Sequence, residues 1–176
     1  MSFKPHPASR QPEPYRQFVG AQTDGKLEGF SGEFSGDAST PSRSQEQIKP
    51  RLRCFLVEDS PVIRQNLIST LEEMLPVEVI ATAEEECEAV QWMRRCDRGC
   101  DLMIIDIVLR TGTGLEVLRQ ARQLQPNATL VVLSNYATRD IRQRCLGLGA
   151  DRIFDKSAEV EELLAYGEQL AREKLN

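Results

Sequence analysis

From residue 51 onward, short apolar runs alternate with segments of helical period, and this alternation limits the chain to very few folds. The runs Arg51–Val57, Val77–Ala81, Leu102–Ile107, Thr129–Leu133 and Arg152–Phe154 are rich in aliphatic and β-branched side chains. Between them, apolar residues recur at every third or fourth position, as in Ile63, Leu67, Leu71 and Met74/Leu75. Ser60-Pro61 reads as a cap followed by proline at the first helical position, and Pro76 stops that helix. Thr82-x-x-Glu85 reads as a capping box opening a helix through about Arg95. Further helices are expected over Leu115–Leu124, over Arg139–Leu148 and from about Ala158 to near the terminus. Near-continuous apolar strands are buried on both faces, so five strands alternating with five helices imply a parallel sheet covered on each side.

Residues 1–50 have a different texture. They hold six of the nine prolines and five of the eleven glycines, with large apolar residues sparse and without period. Such a segment cannot offset a backbone ordering cost of roughly 1–2 kcal/mol per residue, so a disordered leader is expected. Within it, Gly29-Phe30-Ser31-Gly32 is echoed by Glu33-Phe34-Ser35-Gly36, which suggests a linear motif or simply a biased leader. The formal net charge of −5 gives no global electrostatic case for binding nucleic acid. No apolar run approaches the ~20 residues of a membrane span, and no secretory h-region is present, so a cytoplasmic protein is expected. Five cysteines, Cys54, Cys87, Cys96, Cys100 and Cys145, argue by their odd count against a disulfide framework. The one histidine, His6, lies in the leader and supplies a zinc site poorly.

In open parallel sheets the ligand site lies beyond the carboxyl ends of the strands. The first strand ends in Glu58-Asp59, the third in Asp106, the fourth in Ser134 and the fifth in Asp155-Lys156. Carboxylates gathered at one edge repel one another unless a cation sits among them, and all-oxygen, hydrated surroundings suit Mg²⁺. Lys156 adds a second positive charge and Ser134 a hydroxyl donor. A nucleophilic oxygen, a metal site and donors for equatorial oxygens are the parts that phosphoryl transfer requires.

The ordered set Val57-Glu58-Asp59-Ser60, Ile104-Ile105-Asp106-Ile107-Val108-Leu109 with Gly112-Thr113-Gly114-Leu115, Val131-Val132-Leu133-Ser134, and Gly149-Ala150-Asp151 with Asp155-Lys156 resembles the receiver domain of two-component response regulators. The resemblance covers about residues 51–176. It implies an α/β, flavodoxin-like, doubly wound five-stranded parallel sheet in the order 2-1-3-4-5 with five helices. It implies Asp106 as phospho-acceptor. Asp59 and Asp106 would hold Mg²⁺ directly, Glu58 through water, and the Val108 backbone carbonyl would complete the protein ligands. Ser134 would bond a phosphoryl oxygen and Lys156 would pair with it. The donor would be a phosphohistidine on a sensor histidine kinase or a histidine phosphotransfer protein. A domain of this kind takes up and loses its phosphoryl group itself and is not a turnover enzyme.

The sequence departs from the family pattern in places. Ser157 follows Lys156 where the family usually has proline after a cis bond. A cis bond before a non-proline residue costs about 2.5–4 kcal/mol, so a trans peptide with Ser157 capping the last helix is expected. Ile153 stands where many receivers place the Tyr or Phe that switches with the serine, and Phe154 falls on the opposite strand face. That leaves the loop Asn135-Tyr136-Ala137 as the responding element, or a smaller surface change. Val108, apolar where relatives often orient water, implies slow self-dephosphorylation. No DNA-binding or catalytic module follows the last helix, which suggests a stand-alone receiver with an unknown downstream protein, its first surface being Arg139, Arg142, Arg144 and Ile153. A phosphorelay intermediate fits equally. The rivals are a receiver-like adaptor that does not use phosphorylation and a haloacid-dehalogenase-type phosphohydrolase. Asp106-Ile107-Val108 lacks the second acid of the latter's Asp-x-Asp.

Overall fold

The computed structural model describes residues 50–175. Apart from Pro50, the expected leader, its glycine–phenylalanine echo and His6 lie outside the described residues. In chain order the elements are β1 (Leu52–Val57), α1 (Pro61–Met74), β2 (Val77–Ala83), α2 (Glu86–Arg95), β3 (Leu102–Ile105), α3 (Gly114–Leu124), β4 (Thr129–Ser134), α4 (Arg139–Gly147), β5 (Arg152–Asp155) and α5 (Val160–Leu175). The five strands form one sheet in the order β2-β1-β3-β4-β5. Every pairing in it is parallel, as the resemblance implied.

Side chains alternate across a strand, so each apolar strand is shared between two cores. Phe55, Val57, Met103, Ile105, Leu130, Val132 and Ile153 face Ala89 and Met93 of α2, Val117 and Leu118 of α3, and Cys145 of α4. Their neighbours Cys54, Leu56, Leu102, Ile104, Val131, Leu133 and Phe154 face Leu71 of α1 and Leu163 and Leu170 of α5. The Phe55 ring stacks on Trp92 with centroids 3.9 Å apart. Burying one such side chain contributes roughly 1.5–3 kcal/mol, and the sheet does so repeatedly on both faces.

Three local expectations are corrected. Thr82 does not cap α2: it pairs in the β-ladder opposite Leu56, and the helix begins only at Glu86, with Glu85 at the cap and no side-chain cap bond. β3 stops at Ile105, which leaves Asp106 just past the ladder. The Lys156–Ser157 peptide is trans, but Ser157 does not cap α5, which starts later, at Val160. Its amide and hydroxyl instead both donate to the Asp155 carboxylate. Among the described helices, α1 is capped by Ser60 as expected, whereas the caps Thr113 and Thr138 were not foreseen. All five cysteines are free. Burial pushes the Cys54 thiol far up and that of Cys100 up to about 12, so both pack as inert small apolar groups. No described helix is long and apolar enough to cross a membrane.

Gly114 sets how close α3 can come to the end of β3. A Cβ built there would stand 1.8 Å from the Asp106 carbonyl oxygen, which is backbone and cannot swing aside. Gly114→Ala is expected to destabilise the domain by about 2–4 kcal/mol, read as a lower urea midpoint at unchanged slope.

Candidate functional site

The sheet register assembles the site. Val57 lies beside Ile105 in the β1–β3 ladder, so the residues that follow, Glu58 and Asp106, emerge side by side. Backbone bonds continue the ladder at this edge: Asp106 N–H donates to the Val57 carbonyl at 2.9 Å, and Glu58 N–H to the Ala83 carbonyl at 2.9 Å. On the other side Ser134 pairs with Asp155, and Lys156 N–H reaches the Ser134 carbonyl at 3.3 Å. Four strand ends thereby converge.

Among the described residues, the cluster of acids able to hold a metal ion consists of Glu58, Asp59 and Asp106, each offering one oxygen within 4.8 Å of the others. Two like charges at that distance repel by about 3 kcal/mol at an effective dielectric of about 20. Lys156 offsets part of this. Its ammonium, buried with only 8% of the side chain exposed, bonds Glu58 and lies 2.6 Å from Asp106 Oδ2. Glu58 is itself buried, and Ser60 N–H donates to its Oε1 at 3.1 Å. The second Asp106 oxygen, Oδ1, accepts from Val108 N–H at 3.3 Å. Asp59 is half-buried and is the most open of the three acids.

The hydroxyl of Ser134 is fully buried and has no hydrogen-bond partner among the described residues. A buried hydroxyl without a partner costs roughly 1–3 kcal/mol. The donor set fits a hard cation: three carboxylates, with no thiol or imidazole in the cluster.

Glu58, Asp59, Asp106 and Lys156 thus come together as read from the sequence, with Ser134 at the adjoining strand end. Val108 lies two residues beyond Asp106 and is 49% exposed. Ile153 is corrected as a partner surface, because it is 8% exposed and packs within the core on the α4 face. Phe154 lies on the opposite face, tilted against Tyr166 at 6.1 Å. Arg142 is not a solvated charge either. It donates to the carbonyls of Ala137 (2.9 Å) and Ile153 (2.7 Å) and pairs with Glu159 at 2.6 Å. That bond holds the Glu159 carboxyl below its ordinary range. Arg139 and Arg144 remain exposed.

Sequence reasoning missed a supporting ring. Arg64 donates to the Glu58 carbonyl at 2.9 Å and pairs with Glu84 at 2.8 Å, and Glu84 also pairs with Arg110 at 2.6 Å. The signal was the run Glu84-Glu85-Glu86, read only as part of a cap.

The family model for the response regulator receiver domain matches residues 54–167. A protein-glutamate methylesterase/protein-glutamine glutaminase of Azospirillum brasilense is 28% identical over 114 residues, covering 64% of this chain and 28% of that protein. The response regulator MprA of Mycobacterium leprae is 32% identical over 124 residues, covering 69% of this chain and 51% of its own length. The chain thus spans about half or less of these curated relatives. A response regulator from Burkholderia pseudomallei, solved with a phosphorylated aspartic acid, a calcium ion and citrate, superposes with a TM-score of 0.58 at 25% identity over 69% of each chain.

A cation that binds only the folded acid cluster stabilises the fold by mass action. Mg²⁺ at about a hundred times its dissociation constant should stabilise the domain by about 2.7 kcal/mol, seen as a rise in melting temperature. Asp59→Asn should remove most of that rise while leaving the metal-free protein folded.

Proposed function

The chain belongs to the response regulator receiver family, and on that premise we propose that it is a phospho-acceptor of two-component signalling with Asp106 as the acceptor. The observation that carries this reading is the convergence of Asp106, two further acids and the Lys156 ammonium, with the buried, unpartnered Ser134 hydroxyl at the end of the adjoining strand.

An Asp106 carboxylate oxygen attacks the phosphorus of a phosphohistidine. The P–O bond forms as the P–N bond breaks, and the electron pair leaves on the ring nitrogen, giving neutral imidazole when the other nitrogen carries a proton. Glu58, Asp59, Asp106 and the Val108 carbonyl would hold Mg²⁺, which when bound supplies positive charge to the phosphoryl oxygens. Lys156 gives up part of its pairing with Asp106 to meet the incoming oxygens. Ser134 gains the hydrogen-bond partner it otherwise lacks. That gain favours movement of the β4 end toward the phosphoryl group, and Ser134 is the switch residue in this reading. Ile153, buried on the same strand pair, takes the switch position without a ring to rotate.

The donor in this reading is a sensor histidine kinase or histidine phosphotransfer protein, in the cytoplasm. The output is a protein contact or onward transfer in a phosphorelay, through the domain's own surface. Exposed Arg139 and Arg144 on α4 supply the charge for such a contact. The domain is not a turnover phosphatase, since Val108 stands where an Asp-x-Asp enzyme keeps its general acid.

Incubation with a small acyl-phosphate donor and Mg²⁺ should add one phosphoryl group by intact mass to wild type and none to Asp106→Asn. An unmodified wild type would favour the phosphorylation-independent adaptor. Val108→Asn places a water-orienting amide at the pocket rim and should shorten the phosphoryl lifetime several-fold, followed by mass or phosphate release. An unchanged lifetime would remove Val108 as its determinant.

A further inference from the structure

We propose that Glu86 is a positioning residue that clamps the β3–α3 loop, and with it the Val108 backbone, beside the acid cluster. This rests on the reading of Glu58, Asp59 and Asp106 as a Mg²⁺ site.

The loop between β3 and α3 carries Val108 and has few anchors of its own. Val108 and Thr113 form an isolated antiparallel bridge, and Gly114 N–H donates to the Ile107 carbonyl at 2.9 Å, so residues 107–114 fold back as a small closed turn. The far side of this turn is held from one residue. Glu86 N–H donates to the Thr111 carbonyl at 3.1 Å, and the Glu86 carboxylate accepts from Thr113 N–H at 2.9 Å. Glu86 thus satisfies both a carbonyl and an amide of a loop that no strand reaches.

The fit is close enough to dictate the loop's sequence. Gly112 has φ +80°, and a Cβ there would stand 2.4 Å from Glu86 Cβ and from its Oε2. Only glycine at that position lets the Glu86 side chain lie across the turn. Glu84, two residues earlier, adds the ion pair to Arg110 at 2.6 Å, tying the first half of the same loop to the end of β2. A metal ligand supplied by a backbone carbonyl depends wholly on the course of its loop, because it has no side-chain rotamer with which to adjust. Groups that orient such ligands without touching the metal weigh heavily on affinity.

A simpler account makes Glu86 an ordinary acid in the first turn of α2, favourable to the helix N-terminus. Glu88 is the control for that account: it lies in the same first turn, but its carboxylate accepts from Glu84 N–H at 3.0 Å and not from the loop.

The test is a Mg²⁺ titration without any phosphodonor, followed by amide shifts, together with amide hydrogen exchange at Thr113 in the metal-free protein. Glu86→Ala should weaken Mg²⁺ binding roughly three- to tenfold and speed exchange at Thr113. Glu86→Gln, whose amide oxygen can accept the same N–H, should restore both to within about twofold. Glu88→Gln should bind as wild type. The proposal is overturned if Glu86→Ala binds Mg²⁺ normally, if Glu86→Gln fails to rescue, or if Glu88→Gln weakens binding as much. Should Glu86→Ala lose stability, the rescue by Glu86→Gln alone decides. Wild type that binds no Mg²⁺ would overturn the metal reading, leaving the clamp to be judged on Thr113 exchange.

Discussion

The structure depends on how three carboxylates are kept within 4.8 Å of one another at the end of a parallel sheet. Left alone they would push apart the strands that carry them. Lys156 prevents this from the far side of the site, its ammonium lodged between Glu58 and Asp106. It holds that place because the residue before it, Asp155, is paired in register with Ser134. The ion pairs therefore span β1, β3 and β5, strands that are not all neighbours. A buried pairing of this kind contributes little net stability, since desolvation cancels much of the attraction, but it fixes where the charges stand. One ammonium among three carboxylates leaves residual negative charge, which suits the cluster to a cation.

The scaffold that permits this arrangement is an ordinary double core. Because successive strand residues face opposite helical layers, the strands are held from both sides by apolar packing. That packing lets one polar group of this edge, the Ser134 hydroxyl, stay unsatisfied. Ser134 Oγ lacks a partner, yet its strand is buried throughout by apolar neighbours that carry the cost.

Much of this was legible in the sequence, for a physical reason. Apolar runs with a carboxylate or lysine at their ends report strand and edge together, so the placement of Glu58, Asp106, Ser134 and Lys156 followed from period and order. Element starts were less legible. Thr82 carries a capping-box pattern, but pairing with β1 outweighed that local preference. Ser157 was assigned to α5 because serine favours caps, yet the Asp155 carboxylate two residues earlier captured both its donors. The supporting contacts of Arg64, Glu84 and Arg110 were hard to read, because both arginines are far from Glu84 in sequence and each charge alone resembles a solvated one.

The two faces of β5 go to different helical layers. On β5, Phe154 is committed to the α1/α5 layer, while Ile153, facing α4, is an aliphatic residue with no ring to swing. The connection between the Ser134 end and β5 is polar instead. The loop after Ser134 is tied through the Ala137 carbonyl to Arg142, and the same guanidinium holds the Ile153 carbonyl and the Glu159 carboxylate. Glu159 in turn accepts from the Asp155 amide at 2.7 Å, next to Lys156. Displacement of that loop must either break its bond to Arg142 or pull Arg142 away from β5 and the entry of α5. A chain of hydrogen bonds is less tolerant of distance than a sliding ring, because its strength falls steeply once geometry is lost. The loop after Ser134, β5 and the entry of α5 are thus joined through one arginine of α4, with no aromatic at position 153.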